Sequence, residues 1–172
     1  MVIKNKYLFA SFGTDKHQFN RLMEYIVRLS EKTQTHFVVQ NGFTEAKEHK
    51  YIKCVGFVNR EEFDNWVLFS DGVVCHAGMG AILTAIKFAK KKVIVPRQRR
   101  FGEHINDHQM ESVNLFSKNN NTVKTVQTYE DFEKSIQWII SDRTRGIDRS
   151  KEPELFGYVT AFVKEIITHG KT

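Results

Sequence analysis

VVCHAGMGAILTAI, residues 73–86, passes from an apolar run to a helical pattern within a few residues. Val73, Val74 and Cys75 form a continuous apolar stretch, the mark of a strand covered on both faces. His76 ends it. Ala77-Gly78-Met79-Gly80 follows as a tight turn, in which two glycines let the backbone come close to a ligand. Ile82, Ala85, Ile86 and Ala89 then repeat at helical spacing. The start of that helix offers unpaired N–H groups and the positive end of a dipole, which suits a phosphate. The pattern is not GxGxxG, and no acidic residue follows at ribose-binding distance. On spacing alone, a plain strand-to-helix turn explains it equally well.

The same alternation extends in both directions. YLFASF (7–12), HFVVQ (36–40), IKCVGFV (52–58), GVVCH (72–76), KVIVP (92–96) and TVKTV (122–126) read as strands. Phe19, Leu22, Met23, Ile26 and Leu29 keep helical spacing after the first strand. Asn59, with Glu62 three residues later, is a capping box opening EEFDNWVLF. A helix is expected over residues 103–117, and Thr128 caps another that carries Phe132, Ile136 and Ile139. A polar connector, SDRTRGIDRSKEP, precedes a last amphipathic helix over residues 154–168. Apolar strands separated by helices imply an α/β fold, a single Rossmann-like doubly wound parallel sheet. Residues 1–150 make that domain, and 151–172 a C-terminal helix. Ligands of such sheets bind beyond the carboxyl ends of the strands. The candidate loops are therefore FGTDKH, QNGF, GFVN, HAGMG and PRQRRFGEH.

The chain of 172 residues, 41% hydrophobic, suits one domain with a proper core. Its net charge of +6 favours anionic partners without choosing among nucleotides, phosphates and acidic membranes. Cys54 and Cys75 lack CxxC spacing, so neither a disulfide framework nor a cysteine zinc site is implied. Without an apolar run near the roughly 20 residues that span a bilayer, or a signal-peptide core, the expectation is a soluble, cytoplasmic protein.

FGEHINDHQ (101–109) and the preceding RQRR (97–100) admit three readings. His104 and His108 at i and i+4 would share a helix face and resemble an inverted zincin pattern. Asp107 is short for the usual base, and no third ligand is evident, so no metal is expected. RQRR suits nucleic-acid phosphates, but no nucleic-acid motif accompanies it, and a solvated loop is the plainer reading. The third reading is a wall of a site for another anion.

Taken together, VVCHAGMGAILTAI and KKVIVPRQRRFGEHINDHQ resemble the C-terminal half of glycosyltransferase family 28, most closely the small subunits of split capsule and exopolysaccharide transferases. LFASFGTDKHQFNRL and VVQNGF resemble further segments of those proteins, and the likeness covers most of residues 7–116. It implies the donor-binding half of a GT-B glycosyltransferase, binding a UDP-sugar as substrate and needing no cofactor. Since only one Rossmann domain fits this length, it also implies a separate membrane-anchored subunit that carries the acceptor half. That partner would hold this chain at the inner face of the plasma membrane, with the helix 154–168 as the docking element.

The resemblance assigns roles. Phe57 and Val58 hold uracil by backbone contacts. His76, Gly78, Met79 and Gly80, with a helix start at Ala81, face the diphosphate, and Arg97 helps to neutralise it. Gly13 and Thr14 face the sugar or the partner. Gln109 grips the donor sugar or ribose, preceded by Asp107 and His108. Thr84 stands where the peptidoglycan enzyme of the family has a glutamate for the ribose hydroxyls, and a threonine cannot bind two hydroxyls as a carboxylate does. The implied reaction is inverting transfer of a hexose to a polyprenyl-diphosphate-linked saccharide. Its general base comes from the partner, or from Glu103 or His104. The alternatives are a non-catalytic nucleotide-sugar-binding accessory subunit and, behind it, a nucleic-acid-binding protein.

Overall fold

A computed structural model describes residues 7–88, 90–110, 113 and 121–141. Six parallel strands form one sheet: β1 (Leu8–Ser11), β2 (Phe37–Gln40), β3 (Ile52–Cys54), β4 (Gly72–Cys75), β5 (Lys92–Ile94) and β6 (Val123–Thr125). Their order is β3-β2-β1-β4-β5-β6. This is a doubly wound arrangement whose order reverses between β1 and β4, where a crevice opens at the carboxyl ends. The alternating apolar runs thus yield the expected α/β sheet, with helices on both faces.

Strand residues alternate between two cores, because successive side chains point to opposite faces. Leu8, Ala10, Val39, Val74 and Val93 pack under α1 (Asn20–Thr33) and α4 (Tyr129–Ser141), with Leu22, Ile26, Phe132 and Ile136. Phe9, Val38, Val73, Cys75 and Ile94 pack under α2 (Arg60–Phe69) and α3 (Met79–Lys87), with Val67, Ile82, Ala85 and Ile86. Met23, Leu29 and Phe19 complete the α1 face as their spacing predicts, all of them buried. The capping box forms: Asn59 Oδ1 accepts from Glu62 N at 2.9 Å, and Glu62 Oε2 accepts from Asn59 N at 2.9 Å. Thr128 Oγ1 accepts from Asp131 N at 3.2 Å and so caps α4.

Three elements differ from expectation. β3 stops at Cys54 instead of running to residue 58, because Gly56 adopts φ 63° and its N–H turns aside to Asn41 Oδ1. α3 begins at Met79 with Gly78 as its cap, so Gly80 and Ala81 lie inside the first turn. No helix begins at Glu103. A short 3-10 turn, Arg99–Phe101, ends on Gly102 at φ 68°, and helical backbone starts only at 108. Glu103 is drawn into the protein before that point, which prevents a helical start. The rest of the expected helix to residue 117, the connector and the helix 154–168 lie outside the described residues, apart from 113.

Candidate active site at the sheet switch point

A cavity of about 390 Å³ opens where the carboxyl ends of β1 and β4 part. From the predicted set it gathers Gly13, Thr14, Val58, His76, Gly78, Gly80 and Ala81. Ser11, Gln40, Asn59, Arg60 and Phe63 complete its walls. Each comes from a strand end or the loop after it, as the parallel sheet dictates.

His76 organises the floor. Its N–H bonds to Ser11 O at 3.2 Å, and its Nδ1 lies 3.3 Å from the same oxygen. The imidazole is held between two glycines. A Cβ on Gly78 would lie 2.0 Å from Nε2, and one on Gly13 would lie 2.5 Å from Cε1. Gly13 also sits at φ 81°, a left-handed conformation that a side chain would strain. The HAGMG glycines are therefore not equivalent: Gly78 makes room for the ring, whereas a Cβ on Gly80 would meet open space.

Burial pushes the His76 pKa down to about 4; the hydrogen bond to Ser11 O opposes the fall and Arg97 adds to it. The ring is thus neutral at neutral pH. The unfolded chain takes up this proton near pH 6.5 and the folded chain only near 4. Stability is therefore full above 6.5 and declines as the pH falls between these values, by about 3 kcal/mol in total for this residue. Denaturant unfolding across that window should show the slope, and His76→Asn should flatten it.

The α3 N-terminus forms one wall. Ile82 N bonds to Gly78 O at 3.3 Å, and no side chain caps the helix. Its first turn therefore presents Met79, Gly80 and Ala81 N–H groups as donors without intrahelical partners. Arg60, the first residue of α2, stands on the adjacent wall, placed there by the capping box. Its Nη2 donates to Thr84 Oγ1 at 3.1 Å, and its Nε pairs with Asp64 Oδ1 at 2.9 Å. Thr84 is 1% exposed, and its hydroxyl donates back to Gly80 O at 2.9 Å. It does not face the cavity. The expected ribose-binding position is thus sealed, with a guanidinium above it. Sequence spacing alone does not signal Arg60.

The loop after β5 has a different role from the one expected. Arg97 is 1% exposed. Its Nη1 donates to His17 O (2.7 Å) and Glu103 O (3.0 Å), and its Nη2 donates to Phe12 O (2.8 Å). It ties the β1 loop to the β5 loop and does not reach the cavity. Glu103, 2% exposed, accepts from Arg21 Nε and Nη2, both at 2.8 Å, and from Gln98 N at 2.9 Å. A carboxylate so engaged is not placed to take a proton from an acceptor. Gln109 Oε1 accepts from Arg97 N at 3.1 Å, and Asp107 Oδ1 accepts from Arg99 N at 2.8 Å, so both hold the loop to itself. His108 is exposed and, with Met79 and Phe57, lies outside the cavity walls. Phe57 stacks edge-on against Phe43 at 5.0 Å. His104 precedes the helical backbone, so it does not share a helix face with His108, and the premise of a zinc pair fails.

The β1 loop supplies a group that sequence reasoning missed. Asp15 Oδ1 accepts from His17 N at 2.8 Å and faces His17 Nδ1, while Asp15 Oδ2 lies 3.7 Å from His104 Nε2. Burial alone would raise the Asp15 pKa, but the hydrogen bonds from His17, with the charge of Arg97, outweigh it and hold the carboxyl below its usual range. The anionic Asp15 faces Nδ1 of His17 and so favours a proton on that nitrogen. In His104, by contrast, Nδ1 accepts from Asn106 N at 3.3 Å while Nε2 faces Asp15. DKH in the turn was the available signal, and only the fold shows its geometry.

The glycosyltransferase family 28 C-terminal domain model matches residues 10–168. The chain belongs to this family. No curated protein matches the sequence. Among solved structures, this family 28 chain is similar to the glycosyltransferase of kitacinnamycin, with a TM-score of 0.57, 18% identity, and coverage of 89% of this chain and 38% of that one. It is similar to MurG of Acinetobacter baumannii at TM-score 0.54 and 14% identity, covering 91% and 50% respectively. A UDP-GlcNAc 2-epimerase of Methanocaldococcus jannaschii, solved with UDP-GlcNAc and UDP, gives 0.56 and 14%, covering 91% and 45%. At these identities the likeness shows a shared fold, one half of a GT-B architecture. The family 28 chain spans half or less of the length of these structures. Since an epimerase shares the fold, architecture alone does not specify the reaction. No described helix is long and apolar enough to cross a membrane.

Proposed function

We propose that this family 28 chain is the donor-binding half of an inverting glycosyltransferase that takes a UDP-sugar. The observation that carries the reading is the cavity at the β1/β4 switch point, walled by the uncapped start of α3 and by Arg60. The α3 N–H groups and its dipole, with Arg60, suit a diphosphate. The same donors would stabilise charge developing on the UDP leaving group, with no metal required. Val58, which lines the cavity, and the neighbouring Phe57 suit the uracil, contacted through backbone groups.

The acceptor half belongs to a separate, membrane-anchored subunit. The acceptor in this reading is a polyprenyl-diphosphate-linked saccharide in capsule or exopolysaccharide synthesis, and what supports both assignments is the resemblance of residues 7–116 to split transferases. This chain would then be peripheral to the inner face of the plasma membrane. His17, which faces Asp15 on the β1 loop two residues beyond the cavity-lining Thr14, joins His104 as a candidate to take the acceptor proton, in place of the buried Glu103.

Calorimetry of the isolated chain with UDP, UDP-glucose and UDP-N-acetylglucosamine tests the reading. Binding is expected, and Arg60→Ala should weaken it by roughly tenfold, the loss of one charged hydrogen bond. Absence of any uridine nucleotide binding would overturn the proposal. With the acceptor subunit and a lipid-linked saccharide present, His17→Gln should lower turnover about a hundredfold while UDP-sugar affinity holds. Unchanged turnover would move the base to His104 or the partner. Nucleotide binding without turnover in the wild-type pair would favour an accessory subunit.

A further inference from the structure

The loop at residues 99–105 combines a rigid base with an apolar, basic tip. Its base is fixed from inside. Glu103 is buried against Arg21, Arg97 bonds to the Glu103 carbonyl, and Asp107 receives the Arg99 N–H. Its outward side chains are different in kind. Arg99 and Arg100 are exposed, Phe101 is 50% exposed and Ile105 70%. The Phe101 ring is flanked by the guanidiniums of Arg21, 4.9 Å from its centroid, and Arg100, 4.7 Å. A loop held this firmly has no need to leave a phenylalanine and an isoleucine in water. Two further exposed aromatic residues, Phe43 and Phe57, stack on each other.

From this geometry we infer that the 99–105 loop docks directly on an anionic lipid surface. Phe101 and Ile105 enter the headgroup boundary, and Arg99 and Arg100 pair with lipid phosphates. The combination of apolar tip and flanking arginines is that of an interfacial anchor. Two apolar side chains are far too little surface for a stable protein interface, which needs roughly 1,200 Å² or more. They suffice for shallow insertion when basic residues add electrostatic attraction. Among the described residues no carboxylate pairs with the Arg99 or Arg100 side chain; Asp107 Oδ1 is turned to Arg99 N. Since the loop follows β5, it lies at the same sheet edge as the cavity, so docking would present that edge to the membrane. The inference goes beyond the nucleotide reading, and its test needs neither nucleotide nor partner.

The test is co-sedimentation of the full chain with vesicles, one set of phosphatidylcholine alone and one of equal parts phosphatidylcholine and phosphatidylglycerol. Binding to the anionic vesicles alone, weakened by added salt, is expected. The double variant R99Q/R100Q should bind about 25-fold more weakly, a factor of roughly five per arginine. F101S/I105S should lose about tenfold or more while the chain stays folded, its melting temperature lowered only slightly by the loss of the half-exposed Phe101 ring. No binding by the wild type would overturn the inference. So would either variant binding as the wild type does, because the contact would then lie elsewhere on the chain or the loop would face a protein partner.

Discussion

Arg97→Met is expected to lower the melting temperature by roughly 10 °C. The reasoning starts from what the guanidinium holds. It is buried, stacked 4.6 Å from the Phe19 ring, and bonded to the carbonyls of Phe12, His17 and Glu103. Methionine fills much of the volume but leaves three carbonyls without donors, each costing about 1–3 kcal/mol. The lower part of the resulting total, about 3–5 kcal/mol, is already a large fraction of a domain's stability, and about 2–4 °C per kcal/mol applies at this size. Arg97→Lys should recover only part, because one ammonium cannot reach three diverging acceptors. Thermal unfolding of the three proteins decides the matter. A drop of less than about 3 °C for Arg97→Met would show that the carbonyls find water, and that the residue is free to serve the cavity instead.

Gly78→Ala is expected to abolish most nucleotide binding and to destabilise the fold by about 1–3 kcal/mol, the usual range for overpacking. The backbone at Gly78, φ −82° and ψ 129°, accepts alanine without strain. The whole effect is therefore steric. The new methyl would press on the His76 ring at 2.0 Å, and the ring cannot retreat because Gly13 closes the opposite side. Either the ring or the α3 N-terminus must move, and both border the cavity. A double-mutant cycle isolates this cause. In the His76→Ala background, Gly78→Ala should cost little. Equal costs in both backgrounds would show that Gly78 is required for a contact other than the histidine. Gly80→Ala is the control for stability alone, since a Cβ there meets no protein atom although the position lines the cavity.

Much of this architecture is legible along the chain because it depends on short-range rules. Apolar runs between amphipathic helices imply a parallel sheet, since only covered strands are apolar on both faces. The capping box Asn59–Glu62 and the Thr128 cap are local hydrogen bonds, so residue identity suffices to place them. HAGMG marks a strand-to-helix turn, and in such sheets these turns collect at one edge. That is why Gly13, Val58, His76 and Gly78, far apart in sequence, were expected together and are found together.

The β5 loop shows the opposite case. FGEHINDHQ has the composition of a helix start with outward-facing charges. Glu103 instead turns inward to Arg21, 82 residues away, and Arg97 turns inward to carbonyls on another loop. A buried charge is stable only where partners from elsewhere in the chain meet it, and no local pattern encodes that meeting. The same holds for Arg60, which reaches Thr84 on a different helix, and for Asp15, which sits between two histidines from separate loops. Sequence alone therefore determined the sheet, its binding edge and the glycine turn, through periodicity and local hydrogen bonding. Tertiary structure alone decided which charged side chains face the cavity and which are spent holding it together, because that choice depends on long-range pairing in a medium where unpaired charge is costly.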